Sequence, residues 1–227
     1  PVADVNNNPR NPVINTRSYG EDPARVAALV AAYLQGARGG GMIATIKHFP
    51  GHGDTDVDSH IGLPVVTFDR ARLDRLELVP FKHGVEQGAA AVMAAHIELP
   101  ALDPTPLTPA TFSAPVLRRL LRDELGFGGL VYTDSMSMDA VAKMLPPGEG
   151  AVRAVLGGAD LVLHSPDPIA AFKGLKAAMA AGRISEARLD ESVERVLRAK
   201  ASVGLHVRRA IDLDAVPDSV GSRRHQA

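Results

Sequence analysis

The chain has 227 residues, enough for one large domain or two small ones around a substantial core. Its 25 Lys plus Arg nearly balance 26 Asp plus Glu, which argues against a nucleic-acid or anionic-membrane binder, since both need a basic surface. Cysteine is absent, which excludes disulfides and thiol chemistry; no apolar run is long enough to span a bilayer, and no signal-peptide pattern opens the chain. Any targeting signal would lie upstream of Pro1, so the compartment, cytoplasmic or secreted, stays open.

PVADV, residues 1–5, reads as a buried strand already in progress, so the chain is expected to be a piece of something longer. A polar loop rich in Asn and Pro follows. Asp22 then caps a helix that begins at Pro23, with Val26, Leu29, Val30, Tyr33 and Leu34 at helical spacing and Gly39–Gly41 as its stop. MIATI is a short apolar strand. A second helix is expected from Asp69 to Gly88, with Leu73, Leu76 and Val79 on one face. The rhythm repeats: AAVMAAH, GLVYTD and ADLVLH read as strands. Helices follow over 115–125, 149–156, 168–181 and 186–202.

Continuous apolar strands alternating with helices indicate a parallel α/β protein. Chemistry-bearing residues stand at the end of nearly every strand: Asp4, Lys47 with His48, His96, Asp134 and His164. That distribution favours a (β/α)8 TIM-type barrel over an open doubly wound sheet, which gathers its chemistry at one switch point. About five of eight βα units are visible, so the barrel is incomplete in this chain and the missing three are expected before Pro1.

The segment KHFPGHGDTDVDSH, residues 47–60, concentrates three histidines and three aspartates. Asp54, Asp56 and Asp58 match the start of a calcium loop, but its sixth and twelfth positions hold Ser59 and Val65 instead of Gly and Glu. His48 and His52 are four apart, yet Pro50, Gly51 and Gly53 prevent the helix that would align them for zinc. No metal is expected. Two readings remain. Asp54, Thr55 and Asp56 suit a polar loop bonded to its own backbone, whereas Asp58 beside His60 suits acid–base work, the carboxylate fixing the imidazole tautomer. Asp134 would face them as a carboxylate nucleophile.

The same segment closely resembles the signature of glycoside hydrolase family 3, in its β-N-acetylhexosaminidase branch. RSYGEDP, VMAAHIELPALD, LLRDELGFGGLVYTDSMSMDA and GGADLVLHSPD resemble further stretches of that family in the same order, from Pro1 to about Leu205. The resemblance implies a catalytic barrel domain over 1–205 and a linker over 206–227 toward a possible further domain. It implies a retaining mechanism with Asp134 as nucleophile and His60, paired with Asp58, as acid/base. Arg17, Lys47 and His48 would contact sugar hydroxyls, and His96 is either a subsite contact or a structural rim residue. An aspartate that the family takes from an earlier strand has no counterpart here. No cofactor is implied, and the implied partner is a carbohydrate: terminal N-acetylglucosamine of cell-wall fragments or chitin oligomers. Phosphorolysis, β-glucosidase action and a non-catalytic sugar-binding fragment are the alternatives. His164 reads as structural, Met136 and Met138 as pocket lining, and the basic stretch from Arg195 to Arg209 as a solvated helix face and linker.

Overall fold

The computed structural model describes residues 1–222. Its centre is a parallel sheet of three short strands, β1 (Thr45–Phe49), β2 (Ala91–Ala94) and β3 (Leu130–Thr133), lying side by side in chain order. The first and last apolar runs flank this sheet in parallel but as single bridges, Val2 to Lys47 and Leu161 to Tyr132, and not as the full strands expected. Around each bridge a few backbone bonds remain, and side chains take neighbouring positions of the ladder. His48 N–H donates to the Asp4 carboxylate, Val131 N–H to Asp160 Oδ2 at 2.9 Å, and Leu163 N–H to Thr133 Oγ1 at 2.8 Å.

α1 (Pro23–Gly39) starts as expected, with Asp22 Oδ1 accepting from Arg25 N–H at 2.7 Å. Its buried stripe is narrower than the spacing suggested: Val26, Val30 and Leu34 face the core, whereas Leu29 and Tyr33 are exposed. The helix expected from Asp69 to Gly88 divides into α2 (Arg70–Arg75) and α3 (Val79–Glu86). Pro80 is the reason, because it has no N–H to offer the carbonyl of Leu76. Leu73, Leu78 and Phe81 are buried, and Phe81 meets Phe49 edge-on with ring centroids 5.3 Å apart, fastening α3 to β1.

A helix of wide π-type turns, Pro115–Glu124, buries Val116, Leu117, Leu120 and Leu121 against the sheet. After β3 come α4 (Asp139–Ala142), α5 (Pro147–Gly157), α6 (Pro168–Ala180) and α7 (Glu186–Ser202). Asp167 and Ser185 cap α6 and α7 through Ala170 N–H and Arg188 N–H. Asp160, whose side chain is fully buried, accepts from Arg122 Nη2 at 2.7 Å, Ser192 Oγ at 2.7 Å and Arg195 Nη1 at 3.0 Å. Arg195 is therefore an internal ion-pair partner and not part of a solvated face. Beyond α7 the chain is largely exposed, with Val207, Ile211 and Leu213 in solvent. Of the linker expected over 206–227, residues 223–227 lie outside the described residues. Among the described residues no helix is long and apolar enough to cross a membrane.

α5 and α6 cross where two glycines meet. A Cβ on Gly174 would come within 2.6 Å of Gly148 Cα. Gly174→Val is expected to destabilise by about 1–3 kcal/mol through overpacking. Gly36→Ala on α1, where nothing lies within 4 Å, should stabilise by about 0.5–1 kcal/mol. Urea unfolding of both variants checks the pair.

Candidate active site

The site begins with an acid inside an apolar run. Asp4 is fully buried, a position that a carboxylate holds only when donors surround it. Its Oδ1 accepts His52 N–H at 2.7 Å; its Oδ2 accepts His48 Nδ1–H at 2.7 Å and His48 N–H at 3.1 Å. Burial pushes the Asp4 carboxyl up, but the His48 ring and the His52 donor more than offset this and hold it below the usual range. Asp4 thereby fixes the ring of His48, whose far nitrogen Nε2 lies 3.9 Å from Asp134 Oδ2.

Two cis peptide bonds, Lys47–His48 within β1 and Phe49–Pro50 at its end, precede the loop. Gly53 passes so close to the Val5 carbonyl that any Cβ would collide with it. The buried His52 ring pins the loop from inside, with Nδ1 2.8 Å from Thr55 Oγ1 and Nε2 2.9 Å from Ser59 Oγ. Burial lowers the His52 pKa and keeps it a neutral, structural imidazole. Asn11 Nδ2 donates to His52 O at 2.8 Å, so the Asn-rich loop packs against this one.

At the loop's outer end Asp58 Oδ1 accepts both His60 N–H at 2.8 Å and His60 Nδ1–H at 2.7 Å. Slight burial pushes the Asp58 carboxyl up, yet the His60 donors pull it below its ordinary value. The His60 side chain is 59% exposed, which leaves Nε2 open to a reactant. Among the described residues no ion pair joins this dyad to Asp134.

Asp134 follows β3, and its Oδ1 accepts the amide of Ser135 at 2.7 Å. Behind it His96 is completely buried. Its Nε2–H donates to Ser135 O at 3.0 Å, and Nδ1 lies 2.7 Å from Thr111 Oγ1. Burial lowers its pKa, so the neutral tautomer with Nδ1 accepting from Thr111 satisfies both contacts. His164 touches the same turn, its Nδ1 2.9 Å from Ser135 Oγ and 3.2 Å from Ser137 Oγ. Met136 and Met138 are buried.

With this geometry in place, comparison with known proteins is decisive about kinship. The family model described as the glycosyl hydrolase family 3 N-terminal domain matches residues 1–199. The chain belongs to glycosyl hydrolase family 3. A β-N-acetylglucosaminidase/β-glucosidase of Cellulomonas fimi is 37% identical over 214 residues, covering 91% of this chain and 38% of that protein. A β-hexosaminidase of Xylella fastidiosa (strain 9a5c) is 41% identical, covering 72% of this chain and 47% of that protein. The solved family 3 β-N-acetylglucosaminidase of Paenibacillus sp. str. FPU-7 is 48% identical with a TM-score of 0.91, over 98% of this chain and 42% of that one. The β-glucoside phosphorylase BglX is 31% identical, also with a TM-score of 0.91, over 100% of this chain and 42% of that one. The chain thus spans under half the length of each of these relatives.

Within this family 3 domain, the residues named from sequence do not all come together. His48 and Asp134 are neighbours, and Asp58 and His60 form a pair on the loop above. Lys47 is half-buried on β1, and Arg17 is exposed on the turn Asn15–Arg17, its guanidinium donating to Val13 O at 3.3 Å. His96 has no exposed surface, and both its nitrogens are engaged by Thr111 and Ser135. Asp4 is the residue whose role the sequence reading missed. The signal was a lone acid within PVADV. Among the described residues no group of three or more His, Asp or Glu is arranged to hold a metal ion.

Asp4→Ala removes the acceptor from three donors and is expected to cost about 3–5 kcal/mol in denaturant unfolding. The folded pKa of Asp4 lies below its unfolded value. Its contribution is therefore complete above the ordinary carboxylate range and is lost as pH falls through the depressed folded value. Asp4→Asn lacks this titration, so its stability should change less than wild type between about pH 5 and about pH 2. An identical acid-side slope in both proteins would contradict the assignment.

Proposed function

We propose that this domain is the catalytic unit of a retaining exo-β-N-acetylglucosaminidase, acting on terminal N-acetylglucosamine of cell-wall fragments or chitin oligomers. The observation that carries the reading is the Asp58–His60 pair, with its carboxylate on Nδ1 and Nε2 open, on a loop next to the strand that brings His48 to Asp134. Asp134 attacks the anomeric carbon as the bond to the leaving oxygen breaks, and the His60 imidazolium gives that oxygen its Nε2 proton. Neutral His60 then takes a proton from the water that displaces Asp134 from the glycosyl ester. Asp58 stabilises the imidazolium and keeps the ring oriented. Lys47 and Arg17 supply donors for sugar hydroxyls.

Residues 1–205 form the catalytic unit in this reading, and the sheet belongs to the wall of a (β/α)8 barrel. Its support is that parallel runs follow one another in chain order, without the reversal that marks a doubly wound sheet. Likeness to a β-glucoside phosphorylase favours one second reading, in which phosphate replaces water in the second step.

Asp134→Ala is expected to reduce turnover of a nitrophenyl N-acetyl-β-glucosaminide by at least about a thousandfold. His60→Ala should lose far less on nitrophenyl leaving groups than on a disaccharide, because good leaving groups need little proton donation. Wild-type-like turnover in the first variant, or equal losses in the second, would sink the reading. Assay of wild type with and without phosphate, with identification of any sugar 1-phosphate, separates hydrolysis from phosphorolysis.

A further inference from the structure

The loop bearing Asp58 and His60 makes its own bonds only locally. Ile61 and Gly62 N–H donate to Asp58 O, and Ser59 bonds His52. Beyond the dyad, Val66 N–H donates to Glu98 O and Glu98 N–H to Pro64 O, which ties down the far end. The placement of the near end depends on residues 54–56. Asn7 Nδ2 donates to Asp54 Oδ2 at 3.0 Å and Asn8 Nδ2 to Asp56 Oδ1 at 2.7 Å. The charged anchor comes from α2. Arg72 Nη2 donates to Asp54 Oδ2 at 2.7 Å and to Glu77 Oε1 at 3.2 Å, while the guanidinium lies 3.9 Å over the Phe68 ring. Glu77 is buried directly beneath the loop's first glycine, where a Cβ on Gly51 would meet Glu77 Cβ at 2.8 Å.

From this arrangement we infer that Arg72 is a positioning residue for proton transfer, latching Asp54 so that the loop holds His60 over the reaction centre. One guanidinium nitrogen bonds a loop carboxylate and a buried one at once while the planar group lies over the Phe68 ring, and a lysine cannot reproduce that stacking. Among the described residues Arg72 pairs with Asp54 and Glu77, not with the Asp58–His60 dyad. Its effect reaches His60 through the five-residue stretch from Asp54 to Asp58, and an acid/base group moved by about 1 Å can lose about a hundredfold in rate. The inference rests on the proposed role of His60 as acid/base.

The test uses the full-length protein that bears this domain, with Arg72→Met, Arg72→Lys and, as a second way to open the latch, Asp54→Asn. Hydrogen–deuterium exchange read by mass spectrometry should accelerate over residues 52–62 in Arg72→Met and Asp54→Asn, and remain unchanged over β2 and β3. Turnover of a disaccharide should fall about 10- to 100-fold in Arg72→Met, while nitrophenyl glycoside turnover falls no more than about threefold. Arg72→Lys should recover only part of the loss. Arg72→Met combined with His60→Ala should be no slower than His60→Ala alone. Unchanged exchange in the loop, or equal losses on both leaving groups, would overturn the inference. If wild type turns over no N-acetylglucosaminide, the proposed function fails instead, and loop exchange still decides whether Arg72 is the latch.

Discussion

Burying a carboxylate without donors costs several kcal/mol, so a fully buried aspartate dictates the conformation of whatever surrounds it. Asp4 does this for the whole site. It takes two backbone amides and one ring N–H from the segment 48–52, and this single demand turns the chain sharply after β1. The turn places His52 inside the loop, brings Gly53 against the Val5 carbonyl, and aims His48 Nε2 toward Asp134. The Asn-rich loop following Asp4 packs onto the same turn through Asn11. Two stretches more than forty residues apart are thus one structural unit around one charge.

The two halves of the proposed chemistry rest on different foundations. Asp134 sits just past a strand, with Ser135 N–H on one oxygen and the buried His96 holding the Ser135 carbonyl from behind. His60 stands on a loop with most of its ring in water. An exposed ion pair contributes little to stability, so Asp58 orients His60 without fastening the loop. Fastening falls to His52, to Asn7 and Asn8, and to Arg72. In the proposed mechanism, a nucleophile fixed to the sheet and a proton donor on an anchored loop suit a reaction in which substrate must enter between them.

The opposite end of β3 carries a second buried carboxylate with a different role. Asp160 gathers Arg122 and Arg195 together with Ser192 and the amide of Val131, drawing the π-type helix and α7 onto the sheet. Nothing in this cluster approaches Asp134.

Local chemistry in the sequence was enough to mark most helices. Asp22, Asp167 and Ser185 cap where they stand, and continuous apolar runs marked β2 and β3, whereas the run MIATI overlaps β1 only at Thr45 and Ile46. The dyad was legible too, because Asp58 and His60 are two residues apart and their bond is local. What spacing could not decide was any choice that depends on distant partners. The edge runs became single bridges because the side chains of Asp4, Thr133 and Asp160 took hydrogen bonds that a ladder would have used. His96 turned inward because Thr111 and Ser135 meet its ring from two other segments. Asp4 became the hub of the site because His48 and His52, more than forty positions away, fold over it. A buried charge is an invisible commitment in a linear sequence: which donors satisfy it is settled only when tertiary packing removes water and leaves particular groups within reach.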